Sequence, residues 1–183
     1  MADKMQIARL DGIVMGYSLG QRVGLYNKIR RVSISNVINT DNAYTVYKEG
    51  IPFLEVMVPR CDWNPFNTAY IFMSYLCIGL GENVYFISVE TGEVKRACVP
   101  LYFGYFCKYK ERLYVASGEK LYCFNYACEL VWISGSIAVD GITIINITDN
   151  GIEVSCEMDP PGGWVNRILS LEDGQQISIR QIP

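Results

Sequence analysis

Short apolar runs, rich in Tyr, Val, Ile and Phe and broken by Gly, Asn and Asp, fill the middle and end of the chain. β-Branched and aromatic side chains suit a pleated, half-buried surface, so the runs predict strands. Arg112–Ala116 and Leu121–Tyr126 flank the polar stretch Ser117–Lys120 and read as a hairpin. A second hairpin is predicted from Ile142–Thr148 and Ile152–Glu157 around Asp149-Asn150-Gly151, where Asn-Gly supplies the positive φ that tight turns need. In its return strand Ile152, Val154 and Cys156 alternate with Glu153, Ser155 and Glu157. A period of two puts the first set in a core and the second in water.

The same plan recurs. Val84–Val94, Leu121–Val131 and Asn166–Gln176 each read as an apolar strand, a small polar turn and a return strand. Their starts lie 37 and 45 residues apart, and a strand-like segment precedes each one, at Tyr70–Leu80, Tyr102–Tyr109 with Leu113–Val115, and Ile142–Glu157. A period near 40 with several strands per unit is the spacing of propeller blades. Residues 1–69 show no such unit. Gly12, Gly16, Gly20 and Gly24 recur every fourth residue there, and the cost of Gly inside helices favours turns between short strands. Short helices are expected at Asn27–Val37 and Trp63–Tyr75. The uncharged stretch Trp63–Gly81 is strongly apolar only over Ala69–Leu80, too short for a bilayer span of about 20 residues.

The strand–Glu90-Thr91-Gly92-Glu93–strand and strand–Glu172-Asp173-Gly174–strand units resemble the outer hairpins of quinoprotein-type and related β-propeller repeats, over about residues 70–183. The middle copy departs from the pattern, with Ala127-Cys128 in place of the turn glycine. The resemblance implies an all-β chain of propeller-like repeated antiparallel sheets with little helix. Three blade-like repeats fall short of the usual minimum of about four. Residues 1–69 then supply a degenerate blade, or the array stays incomplete and partly open. The expectation is one domain, 1–183, with an irregular part at 1–69 and three repeats at 70–183.

Composition narrows the chemistry. The chain has 183 residues, 50% of them hydrophobic and 19% charged, ample for a packed core. It has no histidine, which removes the usual general base, the neutral metal ligand and the physiological pH switch. The seven cysteines form no Cys-x-x-Cys pair and sit mostly among large apolar residues, where a thiol behaves as a core hydrophobe. Free thiols and a charged, polar start without an apolar signal core point to the cytoplasm. No Gly-Lys-Ser/Thr phosphate loop is present, and Asp149-Asn150-Gly151 lacks the flanking ligands of a calcium loop. Glu153 and Glu157 share one strand face at roughly 13 Å, too far apart for a glycosidase pair. The reading is therefore no catalytic residues, no metal and no cofactor.

Charge is segregated along the chain. Residues 1–110 carry 12 Lys+Arg and 9 Asp+Glu, whereas residues 111–183 carry 4 and 10. Within 121–166 stand Glu129, Asp140, Asp149, Glu153, Glu157 and Asp159, with no Lys or Arg. Such a field steers a basic partner unless cations from elsewhere in the fold neutralise it. A net charge of −3 argues against nucleic acid or an anionic membrane as partner. Asp159-Pro-Pro-Gly-Gly-Trp164 is a shaped loop, and Trp164 either caps the core or anchors a contact.

An acidic strand, this loop and a strand–Glu-Asp-Gly–strand ending together resemble small bacterial proteins associated with immunity to secreted polymorphic or contact-dependent toxins. That resemblance spans about 40 residues. It implies a cytoplasmic immunity protein that occludes a basic toxin domain, nucleases included, through Glu129, Asp140, Asp149, Glu153, Glu157, Asp159 and Trp164. A non-catalytic scaffold or adaptor subunit, and a carbohydrate-active enzyme, are the alternatives.

Overall fold

The computed structural model describes residues 5–10, 29–34, 42–49 and 51–177. These residues form fifteen strands and no helix. In chain order they are β1 Met5–Leu10, β2 Arg30–Ser33, β3 Asn42–Lys48, β4 Ile51–Val58, β5 Thr68–Phe72, β6 Tyr75–Leu80, β7 Asn83–Ser88, β8 Val94–Cys98, β9 Phe103–Tyr109, β10 Arg112–Ser117, β11 Leu121–Phe124, β12 Leu130–Ile133, β13 Ile142–Thr148, β14 Gly151–Asp159 and β15 Gly163–Leu169. They make four sheets, of orders β1-β3-β4-β2, β5-β6-β7-β8, β12-β11-β10-β9 and β13-β14-β15. None of the four closes on itself. The all-β class expected from the apolar runs is what forms.

Both expected helices are corrected. The described part of Asn27–Val37 contains the strand β2, and Trp63–Tyr75 passes through a turn into β5. Thr68, Tyr70 and Ile71 favour extended backbone, and β5 alternates exposed and covered residues as a sheet surface does. The apolar run after it becomes β6, covered on both faces from Leu76 to Leu80. The part before residue 69, read as irregular, carries a four-stranded sheet. Its glycine series, Gly12 to Gly24, lies outside the described residues. Among the described residues no helix is long and apolar enough to cross a membrane.

Two compact units divide the chain. The first comprises Met1–Asp62, Ala69–Ile78 and Tyr85–Lys95. In its sheet, β3 pairs antiparallel with β1 and β4, while β2 runs parallel to β4. As an interior strand β3 buries Ala43, Tyr44, Thr45 and Val46 in succession, and β4 buries only alternate residues, Leu54, Val56 and Val58. Arg30 reaches the turn between β7 and β8, where its Nη1 donates to the carbonyls of Val89 at 3.3 Å and of Glu90.

The second unit comprises Trp63–Thr68, Gly79–Val84 and Arg96–Pro183. The hairpins predicted at Arg112–Tyr126 and Ile142–Glu157 form as β10–β11 and β13–β14. Its core joins Tyr114, Ala116, Leu121, Cys123 and Trp132 to Ile142, Ile152, Val154, Cys156 and Leu169. A register shift between Ile144 and Asn146 frees a ladder N–H, and Ile144 donates it to the hydroxyl oxygen of Tyr105 on β9. That bond satisfies a backbone donor at a bulge.

One turn is built three times, and this is the physical content of the sequence repeat. Ser88 N–H donates to the Glu93 carbonyl and Gly92 N–H returns to Ser88; Ser170, Gln175 and Gly174 repeat the pair of bonds. Gly92 and Gly174 take φ of 79° and 69°, the left-handed region that the return bond requires. In the middle copy Asn125 N–H donates to Glu129 and Cys128 N–H to Asn125, a turn one residue shorter. There Cys128 takes the left-handed φ of 55° that glycine takes in the other two. The Asn125 side chain compensates, its Oδ1 accepting from the N–H groups of Ala127 and Glu129 at 2.9 Å each.

Gly174 is doubly constrained, because a Cβ there would stand 2.5 Å from the Trp132 ring. Gly174→Ala should cost about 2 kcal/mol or more, from left-handed strain and overpacking together. Gly135→Ala is the control, since a Cβ there meets nothing within 4 Å. Urea-denaturation midpoints should fall for the first variant and stay near wild type for the second.

Candidate partner-binding site

Strand direction decides which loops of the second unit meet. Ser117 pairs with Phe103, so the β10–β11 turn and the entry to β9 share one end of their sheet. Phe103 N–H donates to the Gly81 carbonyl at 2.7 Å and Val99 N–H to Glu82 at 2.8 Å, which adds the β6–β7 turn. Ile137 N–H donates to Glu119 at 3.0 Å, and Val139 N–H to Glu157 at 2.7 Å, which adds the β12–β13 connection and the far part of β14. The loop before β5 is fastened by Asn64, only 2% exposed. Its amide donates to the carbonyls of Gly81 and Phe103 at 3.2 and 3.1 Å, and its Oδ1 accepts from Phe66 N–H at 2.9 Å.

Aromatic side chains line this end. Tyr102 stacks on Phe66 at 5.7 Å between centroids. It follows Leu101, a non-glycine residue at a φ of 71°, and its ring crosses Gly118, where a Cβ would come within 2.8 Å. Its hydroxyl donates to the Asp140 carbonyl at 2.6 Å. Burial first, then the negative charge of Asp140 and that of Glu157, push the phenol up to about 12. Trp164 on β15 is the cross-strand partner of Glu157 on β14, and its ring reaches Gly141. Phe66 is 51% and Trp164 47% exposed, so neither ring is a core residue. Asp159 is exposed beside the cis Pro160-Pro161 bond.

The seven residues expected to bind a partner are thus divided. Asp140, Glu157, Asp159 and Trp164 come together at this end. Glu153 lies in mid-strand, level with Asn146 and Ile168. Asp149 occupies the opposite end of β13 and β14, where it pairs with Lys110 and accepts from the Tyr109 hydroxyl at 2.9 Å. Those hydrogen bonds, Lys110 first, hold its carboxyl below the usual range. Glu129 sits in the β11–β12 turn, hydrogen-bonded to Asn125, at the same end of its sheet as Lys110. The acidic run is therefore neutralised in part by a cation from outside it. Among the described residues no ion pair involves Asp140, Glu153, Glu157 or Asp159. Arg167, just past the acidic stretch, turns toward Gln176 and Met158.

Phe66, Leu101, Tyr102 and Val139 were not singled out in the sequence. Each lies in a loop next to a strand, with no periodicity to mark it. Burial pushes the Cys107, Cys123 and Cys156 thiols up, away from thiolate. Among the described residues no group of His, Cys, Asp or Glu is placed to hold a metal ion.

No family model matches the chain, and no curated protein matches it. Among solved structures it is similar to the computationally designed Ika8 protein, at 10% identity and a TM-score of 0.46, over 73% of this chain. The chain spans 42% of that designed protein's length.

Two predictions follow from this geometry. A phenol whose folded pKa stands above its unfolded value contributes stability that is complete below pH 10 and lost as pH rises toward 12. Tyr102→Phe should therefore flatten the alkaline decline in stability and remove one late-titrating tyrosinate from the ultraviolet titration. Asp140→Asn should move that group toward the ordinary wave. Asn64→Asp deletes both amide donors and sets a carboxylate against two carbonyls, so denaturation should show a loss of about 2 kcal/mol or more.

Proposed function

We propose that the protein is a cytoplasmic immunity protein: a binding protein on a propeller-like array of sheets that neutralises a basic toxin domain by occluding it. One observation carries the reading. Half-exposed Phe66 and Trp164 lie at the same end as Tyr102, Asp140, Glu157 and Asp159. Within the second unit this end carries Glu82, Glu119, Asp140, Glu157 and Asp159 against Lys120. Aromatic anchors provide affinity once desolvated, and unpaired surface carboxylates steer a cationic surface into place. Neither role needs a catalytic group. The repeated turns and successive open sheets support the propeller-like description, and the resemblance of the Asp159–Trp164 loop and its flanking strands supports the toxin partner.

Co-purification from the native cytosol with mass spectrometry identifies the partner, and surface-plasmon measurements on it then test the site. Trp164→Ala should weaken binding by about 2 kcal/mol or more, chiefly through faster dissociation, while melting near wild type. Reversing Glu157 and Asp159 to Lys should slow association and flatten its salt dependence, because steering is screened beyond about 8–10 Å. Reversing Glu129 and Asp149, at the opposite end, should change association far less. A partner that binds all of these variants alike docks elsewhere.

A further inference from the structure

Arg167 is a half-buried cation that forms no ion pair among the described residues. It stands opposite Val154 on the covered face of β14 and β15, where a charge is costly unless it is paired. Neutral groups meet its guanidinium instead. Nη1 donates to Oε1 of Gln176 at 2.6 Å, Nη2 to the thioether sulfur of Met158 at 3.6 Å, and the buried Cys156 thiol lies close by. Nε is buried with no hydrogen-bond partner. A thioether is a weak acceptor, so the cation is held in place without being compensated. Met158 owes its position to a bulge: Glu157 pairs with Trp164 and Asp159 with Gly163, which leaves Met158 as the extra residue of β14. The side chain is 37% exposed, open to a dissolved oxidant while its sulfur faces Arg167.

We propose that Met158 is an oxidation site whose sulfoxide is received by Arg167, so that a peroxide makes the surface between Glu157 and Asp159 more polar while the fold stays intact. Hydrogen peroxide transfers one oxygen atom to the sulfur. The O–O bond breaks and an S–O bond forms; the thioether loses two electrons and the peroxide is reduced to water. In an apolar setting the polar product disrupts packing. Here the new oxygen is a strong acceptor beside a guanidinium that lacks an anion. Hydrogen bonds from a charged donor are shorter and roughly twice as strong as neutral ones, so the sulfoxide gains at Arg167 what the thioether could not supply. The inference is independent of what binds at this end.

The test treats the full chain with hydrogen peroxide. Peptide mapping by mass spectrometry should find sulfoxide at Met158 to at least the extent found at Met73, which is 39% exposed. The side-chain N–H resonances of Arg167 in two-dimensional NMR should shift on oxidation, and should stay in place in Met158→Leu, which has no sulfur to oxidise there. Urea denaturation supplies the energetic readout, with the response of Met158→Leu subtracted to remove oxidation at every other residue. Oxidation of Met158 should then leave the midpoint unchanged or raise it. In an Arg167→Leu background the same oxidation should be less favourable by at least about 0.3 M. Met158 left unoxidised while Met73 is converted overturns the proposal. So does an Arg167 signal that shifts alike in Met158→Leu or does not shift at all, and so does an equal midpoint response with and without Arg167. Should Arg167→Leu not fold, the NMR comparison decides. None of these readouts involves the partner, so their failure leaves the reading of this end as a binding surface to the charge reversals.

Discussion

The buried amide of Asn64 is the bond on which one end of the second unit depends. Three backbone groups that no ladder completes meet there: the carbonyls of Gly81 and Phe103 and the N–H of Phe66. Gly81 shows how tightly the end is accounted for. Its N–H donates to the Asn67 side chain at 3.3 Å, while its carbonyl accepts from both Asn64 and Phe103 N–H. Buried polar groups left without partners cost far more than a made bond contributes, so the loop before β5 has little freedom to move away. Phe66 is fixed through its own N–H, Tyr102 through Phe66, and Asp140 through the Tyr102 hydroxyl. The exposed rings are therefore rigidly presented, which is what an anchor for a partner requires.

Most of the strand framework was legible because alternation is a local property. In β14, Ile152, Val154 and Cys156 are buried, and the residues between them face outward, as the period of two predicts. The repeat was legible for a different reason. A left-handed residue two positions before a return strand needs glycine or a substitute, and Glu-Thr-Gly-Glu and Glu-Asp-Gly both display it. The middle copy hid its likeness because Cys128 adopts the same backbone conformation with help from Asn125. A residue type can vanish from a motif while the hydrogen bonds that define the motif persist.

The first part of the chain was misread because its strands are irregular in the ways that defeat periodicity. β2 is four residues long and pairs in parallel, and β3 buries both faces, so neither shows alternation. The end of the second unit was illegible for another reason. Phe66, Leu101, Tyr102 and Val139 come from three separate loops, and hydrogen bonds between segments distant in sequence assemble them. Nothing in a linear window marks residues whose common feature is which end of a strand their turn adorns.

That distinction also decides how the acidic run acts. From Asp149 to Asp159 the chain travels the length of β14, roughly 30 Å at about 3.3 Å per residue. Over such a distance ordinary salt screens one end from the other almost completely. The six carboxylates of 121–166 therefore do not sum into one field. Asp149 is met by Lys110, from a turn 39 residues away in sequence, and its charge is absorbed locally. Among the described residues Glu157 and Asp159 have no such cation, and Glu157 stands beside Trp164 and Gly141 instead. A charge run in an antiparallel protein is thus cut by the sheet into separate ends, and each end has its own neighbours. At one end a lysine meets the carboxylate; at the other, Glu157 and Asp159 form no ion pair among the described residues and stand near aromatic rings that are held in place.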